Sequence, residues 1–239
     1  MVAPTKITPS GRGAHMPRVR TRFPNVFVGH PFAGRFPVKK FRKIFKELPF
    51  KVIYGNTDLQ SEHLLDVMRA SVLKSDFSIF DLSDWNPNVA LELGLAQGLK
   101  KKPGKTYYIV LNTRRSDNVP SDIQGVQRLE YTSYDYKPEA GLGDQLVNYV
   151  LAKQYWIKKI WSAIPDTGKG QKKRLMAVRI LAHMRDHIKL TSDNLQTIAR
   201  GTRLREADRN EVIEVLRDLN LIRKIRNADA FKLGRKLFS

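Results

Sequence analysis

The chain has 239 residues, of which 41% are hydrophobic, and its formal net charge at pH 7 is +20. It contains no cysteine, which excludes disulfides, cysteine-ligated zinc, iron–sulfur clusters and thiol nucleophiles, and this fits a reducing cytoplasm. The sequence has neither the apolar region of a secretory signal nor the roughly 20 apolar residues of a membrane span, so a cytoplasmic protein without a membrane segment is expected.

The positive charge is concentrated at the two ends of the chain. Residues 1–48 contain 11 Lys and Arg and one acid, residues 49–150 contain 11 bases and 13 acids, and residues 151–239 contain 21 bases and 9 acids. Two basic flanks around a near-neutral centre favour a polyanionic partner, because each phosphate contact releases counterions. Nucleic acid is the predicted partner, and a basic surface that only keeps the protein soluble is the alternative.

Composition also predicts how the chain is divided. The predicted segments are a basic flexible arm over residues 1–21, an α/β domain over 22–164, a linker over 165–170 and a basic helical domain over 171–239. The tetrapeptide Gly13-Ala14-His15-Met16 resembles a cloning scar, which leaves open whether the first sixteen residues are native.

The α/β domain is predicted from strands and helices that alternate along the chain. The predicted strands are residues 25–29, 50–54, 77–82, 106–111 and 126–131, and the predicted helices are residues 40–48, 61–74, 87–99 and 144–162. This order predicts a parallel sheet with right-handed crossovers and helices on both faces. Because ligands bind beyond the carboxyl ends of such strands, the loops after Val28, Tyr54 and Asp81 are expected to form the site.

The strongest local signal follows the third predicted strand. Asn86 is a good N-cap, and Pro87 suits the first helical position. The helix from there to Leu99 is apolar almost all round, so it is expected to be buried. Glu92 is its single ionisable residue, and a lone buried carboxylate favours a functional site. The structural alternative is a glutamate that hydrogen-bonds to a neighbouring loop.

The segment Asn86-Pro87-Asn88-Val89-Ala90-Leu91-Glu92-Leu93-Gly94-Leu95-Ala96 resembles the motif of the nucleoside 2-deoxyribosyltransferase-like and TIR-like superfamily. The opening Val26-Phe27-Val28-Gly29-His30-Pro31-Phe32 resembles the first strand and loop of those domains, and the resemblance covers about residues 22–150. It implies a flavodoxin-like fold in which Glu92 cleaves the N-glycosidic bond of a nucleoside, a nucleotide or NAD. Some members bind nucleotides without cleaving them, so a binding-only domain is the alternative.

The chemistry suits a carboxylate, because cleavage of a ribosyl C1′–N bond passes through an oxocarbenium-like transition state that a carboxylate stabilises or traps. No cofactor or metal is predicted, and NAD or a nucleotide is the possible substrate. A second acid is not evident, although Asp58, Glu62 and Asp84 lie in the expected loops.

Further residues near the strand ends form the predicted substrate-binding set. Gly29 permits close approach to the backbone, Asp81 and Ser83 suit ribose hydroxyls, and Phe32 or Trp85 suits a base. A structural role is the alternative for each, such as Asp81 capping a loop or Trp85 packing in the core. The full predicted set is Gly29, His30, Phe32, Arg35, Asp81, Ser83, Asn86 and Asn88, in which His30 and Arg35 are expected to meet a phosphate.

The last 69 residues resemble a winged helix-turn-helix domain, with predicted helices over 171–187, about 192–200 and 205–219 and a hairpin over 221–234. The residues predicted to contact nucleic acid are Arg203, Arg205, Arg209, Arg223, Lys224 and Arg226. Four acids on the third helix disfavour deep docking in a groove, and they are Glu206, Asp208, Glu211 and Glu214. Protein docking therefore stays open as an alternative.

The order of the two domains resembles the toxin effectors of retron-type anti-phage systems, and this implies a reverse transcriptase and its RNA–DNA product as partners. The predicted function is an N-glycosidase effector that acts as an anti-phage defence toxin and needs no cofactor. It is expected to be controlled by nucleic acid or a nucleoprotein and to form a homo-oligomer. The alternatives are a nucleotide-sensing transcription regulator without catalysis and a structural subunit of a nucleoprotein complex.

Overall fold

A computed structural model provides the fold of most of the chain. It describes residues 23–32, 36–55, 64–99, 106–115, 126–153, 155–165, 167–226 and 228–234. Within these ranges no helix combines the length and the apolar character needed to cross a membrane. The predicted arm over residues 1–21 lies outside the described residues.

The N-terminal unit is built on a five-stranded parallel sheet. The strands are β1 (Asn25–Gly29), β2 (Lys51–Tyr54), β3 (Phe77–Asp81), β4 (Thr106–Asn112) and β5 (Leu129–Tyr131). Their order across the sheet is β2-β1-β3-β4-β5, and every neighbouring pair is parallel. The prediction of an α/β unit with a parallel sheet is confirmed, and the strand order is consistent with a flavodoxin-like fold.

Helices cover both faces of this sheet. They are α1 (Val38–Lys46), α2 (Leu64–Lys74), α3 (Pro87–Leu99), α4 (Leu142–Gln145), which continues as a π turn (Leu146–Val150) and a 3-10 turn (Leu151–Lys153), and α5 (Tyr155–Ala163). Successive side chains of a strand point to opposite faces of the sheet, so each strand contributes residues to both layers of helices. Val26 and Val28 pack in the cluster that contains α1 and α4, whereas Phe27 packs in the cluster that contains α3.

Helix α3 is only half buried, so the prediction that it is buried all round is wrong. Val89, Leu93 and Ala96 pack against the sheet, but Leu91 is 52% exposed and Gly94 is also exposed. The reason is that α3 belongs to the outer layer of the unit. Its inner face contacts β1 and β3, one flank contacts α2, and the remaining face meets solvent.

The C-terminal unit combines three helices with a small antiparallel sheet. Its elements are α6 (Gly168–Asp186), β6 (Leu190–Thr191), α7 (Ser192–Arg200), α8 (Glu206–Asp218), β7 (Ile222–Lys224) and β8 (Ala230–Leu233). The strand order is β6-β8-β7, and β6 was not predicted. Thr191 caps α7 in a capping box with Asn194, as expected for Thr191 or Ser192. Helix α6 begins within the predicted linker, because the Thr167 side chain accepts a hydrogen bond from the Gly170 amide.

The two units pack against each other. Met176 and Ile180 of α6 belong to the same buried cluster as Phe41 of α1. Arg185 at the end of α6 donates hydrogen bonds of 2.6 Å to the carbonyl oxygens of Leu48 and Phe50. Both carbonyls lie in the turn between α1 and β2, so the guanidinium of Arg185 links the C-terminal unit to this turn.

Candidate active site

The carboxylate of Glu92 lies over the carboxyl ends of β1 and β2. A Cβ atom added to Gly29 would lie 2.2 Å from Glu92 Oε2, and one added to Gly55 would lie 2.5 Å from Oε1. The register pairs Val28 with Tyr54, which sets the two glycines side by side at the ends of adjacent strands. Only residues without a side chain leave room for the carboxylate at this position.

Helix α3 aims Glu92 at this point through its cap and its buried face. The Asn86 Oδ1 atom accepts hydrogen bonds from the amides of Asn88 at 3.0 Å and Val89 at 3.4 Å, as expected for an N-cap. Val89 and Leu93 pack on the sheet. Since residues three and four apart share a helix face, Glu92 is carried toward the sheet with Val89 and with Ala96, which packs in the same cluster.

Glu92 is buried, and one of its two carboxylate oxygens is unsatisfied by the described residues. Its side chain is 5% exposed, and its Oε2 atom has no hydrogen-bond partner among them. Burial raises the pKa of Glu92 to about 7. A carboxyl group in this state exchanges its proton near neutral pH, and such groups cluster at functional sites.

A second polar cluster occupies the ends of β3, β4 and β5. The Asp81 Oδ2 atom accepts a hydrogen bond of 2.6 Å from the Tyr131 hydroxyl, and Oδ1 accepts one of 2.8 Å from the Ser83 amide. The Ser83 hydroxyl oxygen accepts a hydrogen bond of 2.8 Å from the Asn112 amide. Burial, the largest cause, raises the pKa of Asp81 to about 6. Asp81 and Ser83, predicted to meet ribose hydroxyls, thus hold three strand ends together.

His30 packs against Phe36 and Phe41 in the cluster that contains α1, on the face of the sheet opposite α3, and it is fully buried. Its Nδ1–H donates to the Pro31 carbonyl at 2.8 Å, and its Nε2 accepts from Arg42 Nε at 3.2 Å. Burial, the largest cause, lowers the pKa of His30 to about 4, so the ring is neutral at pH 7. A buried neutral ring does not offer the positive charge expected of a phosphate ligand, and it orients Arg42 instead.

Arg42 is a residue that sequence reasoning missed. Its guanidinium carbon lies 4.3 Å from the centre of the Tyr54 ring and 5.4 Å from that of Phe32. The Phe32 ring also packs 4.4 Å from His30. Phe32, predicted to stack on a base, therefore already has contacts on the ring of His30 and on Arg42. No local pattern separates Arg42 from the lysines around it.

Among the described residues, the other predicted ones are not brought together with Glu92. Asn86 serves as the helix cap and Asn88 is exposed. Trp85 is 39% exposed, and Asp84 forms an ion pair with Arg115. Arg35, Asp58 and Glu62 lie outside the described residues. Across the described ranges, no three His, Asp or Glu residues converge as ligands for a metal ion.

Gly55 is a second residue that sequence reasoning missed, although the sequence carries part of the signal. The chain has a glycine at the end of its first strand and another directly after its second. If these two strands are adjacent in a parallel sheet, the two glycines leave a space without side chains at the carboxyl ends of the strands. Recognising it required knowledge that β1 and β2 are neighbours, which the sequence does not state.

The predicted nucleic-acid residues lie mostly on the surface of the C-terminal unit. The exposed ones are Arg203, Arg205, Arg223, Lys224 and Arg226. Arg209 is half-buried in a groove of about 520 Å³ between α7 and α8. The acids on α8 are largely paired, since Lys173 of α6 contacts Asp208 at 3.2 Å and Glu211 at 2.6 Å. Glu214 pairs with Arg217.

Comparison with known proteins does not assign the chain to a family. No family model matches it, and no curated protein matches it either.

Proposed function

We propose that the α/β unit cleaves an N-glycosidic bond in NAD, a nucleotide or a nucleoside, with Glu92 as the catalytic residue. The observation that supports this proposal is a buried carboxylate, with one oxygen lacking a partner among the described residues, seated over two glycines at adjacent strand ends. Glu92 lies at the carboxyl ends of β1 and β2, and β1 is the strand at which the strand order reverses. Ligands of open α/β sheets bind in the crevice at such a point.

The proposed reaction is hydrolysis. The C1′–N bond breaks, its electron pair leaves with the base, and the positive charge that develops on the sugar is stabilised by the ionised carboxylate of Glu92. Water then supplies the hydroxyl group at C1′. The remaining proton of that water goes to the departing base when a purine or pyrimidine leaves as an anion, and it is released to solvent when nicotinamide leaves as a neutral base. Because the pKa of Glu92 is about 7, a large fraction of the carboxyl groups is ionised at neutral pH.

Gly29 and Gly55 give this carboxylate its place at the ends of β1 and β2. The low polarity of the surroundings strengthens the attraction between carboxylate and oxocarbenium ion, because less water screens it. The apolar side chains of α3 and β1 thus contribute to the proposed chemistry, although they do not touch the reacting atoms.

For the C-terminal unit we propose a winged-helix arrangement that binds nucleic acid and controls the glycosidase. The order of a helix, a strand, two further helices and a hairpin supports this. Nucleic-acid binding is also supported by the acids on α8, two of which are paired with Lys173, and by the exposed cations of the hairpin. An effector held by a nucleoprotein partner, such as a reverse transcriptase complex, fits this arrangement.

The experiment is product analysis by liquid chromatography and mass spectrometry. Wild-type protein and Glu92→Gln are each incubated with NAD and with mixed nucleotides, in the presence and absence of co-purifying nucleic acid. Free base released by the wild type and not by Glu92→Gln is the expected result. The glutamine variant keeps the size of the side chain and removes its charge, so it is a matched control for binding.

The competing function is a nucleotide sensor that regulates transcription without catalysis. Wild-type protein that retains nucleotide and releases no base under any condition would contradict the enzyme and favour the sensor. Sequence-selective, salt-sensitive binding to duplex DNA would then be the property to measure.

A further inference from the structure

A groove lined by positive charge runs between α1 and the edge strand β2. It encloses about 640 Å³ and lies on the face of the sheet opposite α3. The cations that line it are Lys39, Arg42, Lys43, Lys46, Lys51 and Arg185. Its one acid among the described residues is Asp186, which pairs with Arg185. The groove therefore carries a large net positive charge.

The lysines of the groove are available to a ligand. Lys39, Lys43, Lys46 and Lys51 are exposed, and none of them forms an ion pair with an acid in the described part of the chain. The cations beside α8 differ in this respect. Lys173 pairs with two acids, and Arg217 pairs with Glu214. Paired cations attract a polyanion less, because their field is partly cancelled.

The lysines are also arranged in a row. Lys39, Lys43 and Lys46 follow one another at intervals of four and three residues, which places them on one face of α1 over about 10 Å. The four residues of β2 run for about 13 Å on the other side of the groove. A row of this length spans about three phosphates of one strand of a duplex, which succeed one another about every 3.4 Å of helix axis.

The two ends of the groove are held rigidly. At one end the guanidinium of Arg42 is fixed by His30 and lies over Tyr54, directly before Gly55. At the other end Arg185 is fixed by the carbonyl oxygens of Leu48 and Phe50. Because Arg185 belongs to α6, both units contribute to the lining.

We propose that the groove between α1 and β2 binds the phosphodiester backbone of a nucleic-acid strand. This surface is separate from the cations of the C-terminal hairpin and does not depend on the glycosidase activity. It places a nucleic-acid contact on the α/β unit, beside the sheet edge that holds Glu92. Recognition through phosphates predicts little sequence preference and a strong dependence on salt.

The experiment compares two triple variants of the full chain that lose equal charge. The groove variant carries Lys39→Gln, Lys43→Gln and Lys46→Gln. The control carries Arg69→Gln, Lys74→Gln and Lys137→Gln, exposed residues outside the groove, two of them on α2. Binding of a fluorescein-labelled single-stranded DNA and of its duplex, each about 20 nucleotides long, is followed by anisotropy over a range of salt.

The groove variant is expected to lose about tenfold or more in affinity. For the single strand, the negative slope of log K against log salt should become shallower by about 2, because three phosphate contacts are lost. The control is expected to stay within about threefold of the wild type. Equal losses in both variants would overturn the proposal, because net charge alone would then explain binding. Wild-type affinity in the groove variant would overturn it as well. Thermal unfolding of both variants verifies that they are folded.

Discussion

Glu92 and Asp81 are both buried carboxyl groups at the carboxyl end of the sheet, and burial raises the pKa of each. They differ in their partners. Both oxygens of Asp81 accept hydrogen bonds, from the Tyr131 hydroxyl and the Ser83 amide. The Glu92 Oε2 atom has no partner among the described residues, and glycines face both of its oxygens.

The difference in hydrogen-bond partners distinguishes a carboxylate that stabilises the fold, Asp81, from one that does not, Glu92. A buried carboxylate whose oxygens are bonded holds neighbouring strands in place, since each bond repays part of the cost of desolvation. A buried carboxylate without such bonds lowers stability, and the fold tolerates it where another use exists. Four measurements test this comparison.

The largest effect is expected for Glu92→Gln. Removal of the charge should lower the rate of base release by about 10³-fold or more, equivalent to about 4 kcal/mol of transition-state stabilisation. The free energy of unfolding at pH 8 should stay equal or increase, because a costly buried charge is lost. Kinetics and urea denaturation measure the two quantities. A variant that keeps a tenth of the rate, or loses stability, would contradict this assignment.

The pH dependence of stability gives the next effect. The pKa of Glu92 in the folded state is about 7, above its ordinary value of 4.5. Its contribution to stability is therefore fully present below about pH 4.5 and is lost as pH rises through 7. Between pH 4.5 and 8 the free energy of unfolding of the wild type should fall by about 3 kcal/mol relative to Glu92→Gln. Asp81 shifts in the same direction, but it is present in both proteins and cancels.

Denaturation at several pH values measures this difference. Parallel curves for the wild type and Glu92→Gln would show that the Glu92 carboxyl titrates with an ordinary pKa and would contradict its uncompensated burial.

Gly29→Ala tests whether the position of the Glu92 carboxylate over Gly29 matters for the rate. The new Cβ would lie 2.2 Å from Glu92 Oε2 and 2.8 Å from the Phe80 ring, so the carboxylate and the ring must both shift. A displacement of this kind should lower the rate by about 100-fold. Gly94→Ala on the exposed face of α3 is the matched control, because its Cβ meets no atom within 4 Å. The control should keep its rate and gain about 0.5–1 kcal/mol of stability. Equal rates in both variants would argue against a fixed carboxylate.

The smallest effect is expected for Tyr131→Phe. This variant removes the donor to Asp81 Oδ2 and should lower the free energy of unfolding by about 1–3 kcal/mol. The rate per folded molecule should change little, since the network of Asp81 holds strands and Glu92 lies over other strands. Urea denaturation and base release measure both. A large loss of rate with unchanged stability would move Asp81 into the catalytic machinery.

Sequence patterns predicted most of the elements of the α/β unit. The strand over residues 25–29 and the helix over residues 87–99 have the predicted bounds. Glu92 was singled out as the one ionisable residue of an apolar helix. These predictions succeeded because periodicity, capping and composition are properties of neighbouring residues. The exposed side of α3 was not predictable in this way, since it depends on what packs against the helix.

The sequence by itself determined the alternation of strands and helices, the cap at Asn86 and the isolated position of Glu92. Only the tertiary structure decided that Gly29 and Gly55 lie together, that Tyr131 reaches Asp81 across 50 residues, and that Arg42 is held by His30. The physical reason is that these contacts depend on the order of the strands and on which face each helix covers. Both are fixed by packing between distant segments, and no local pattern specifies them.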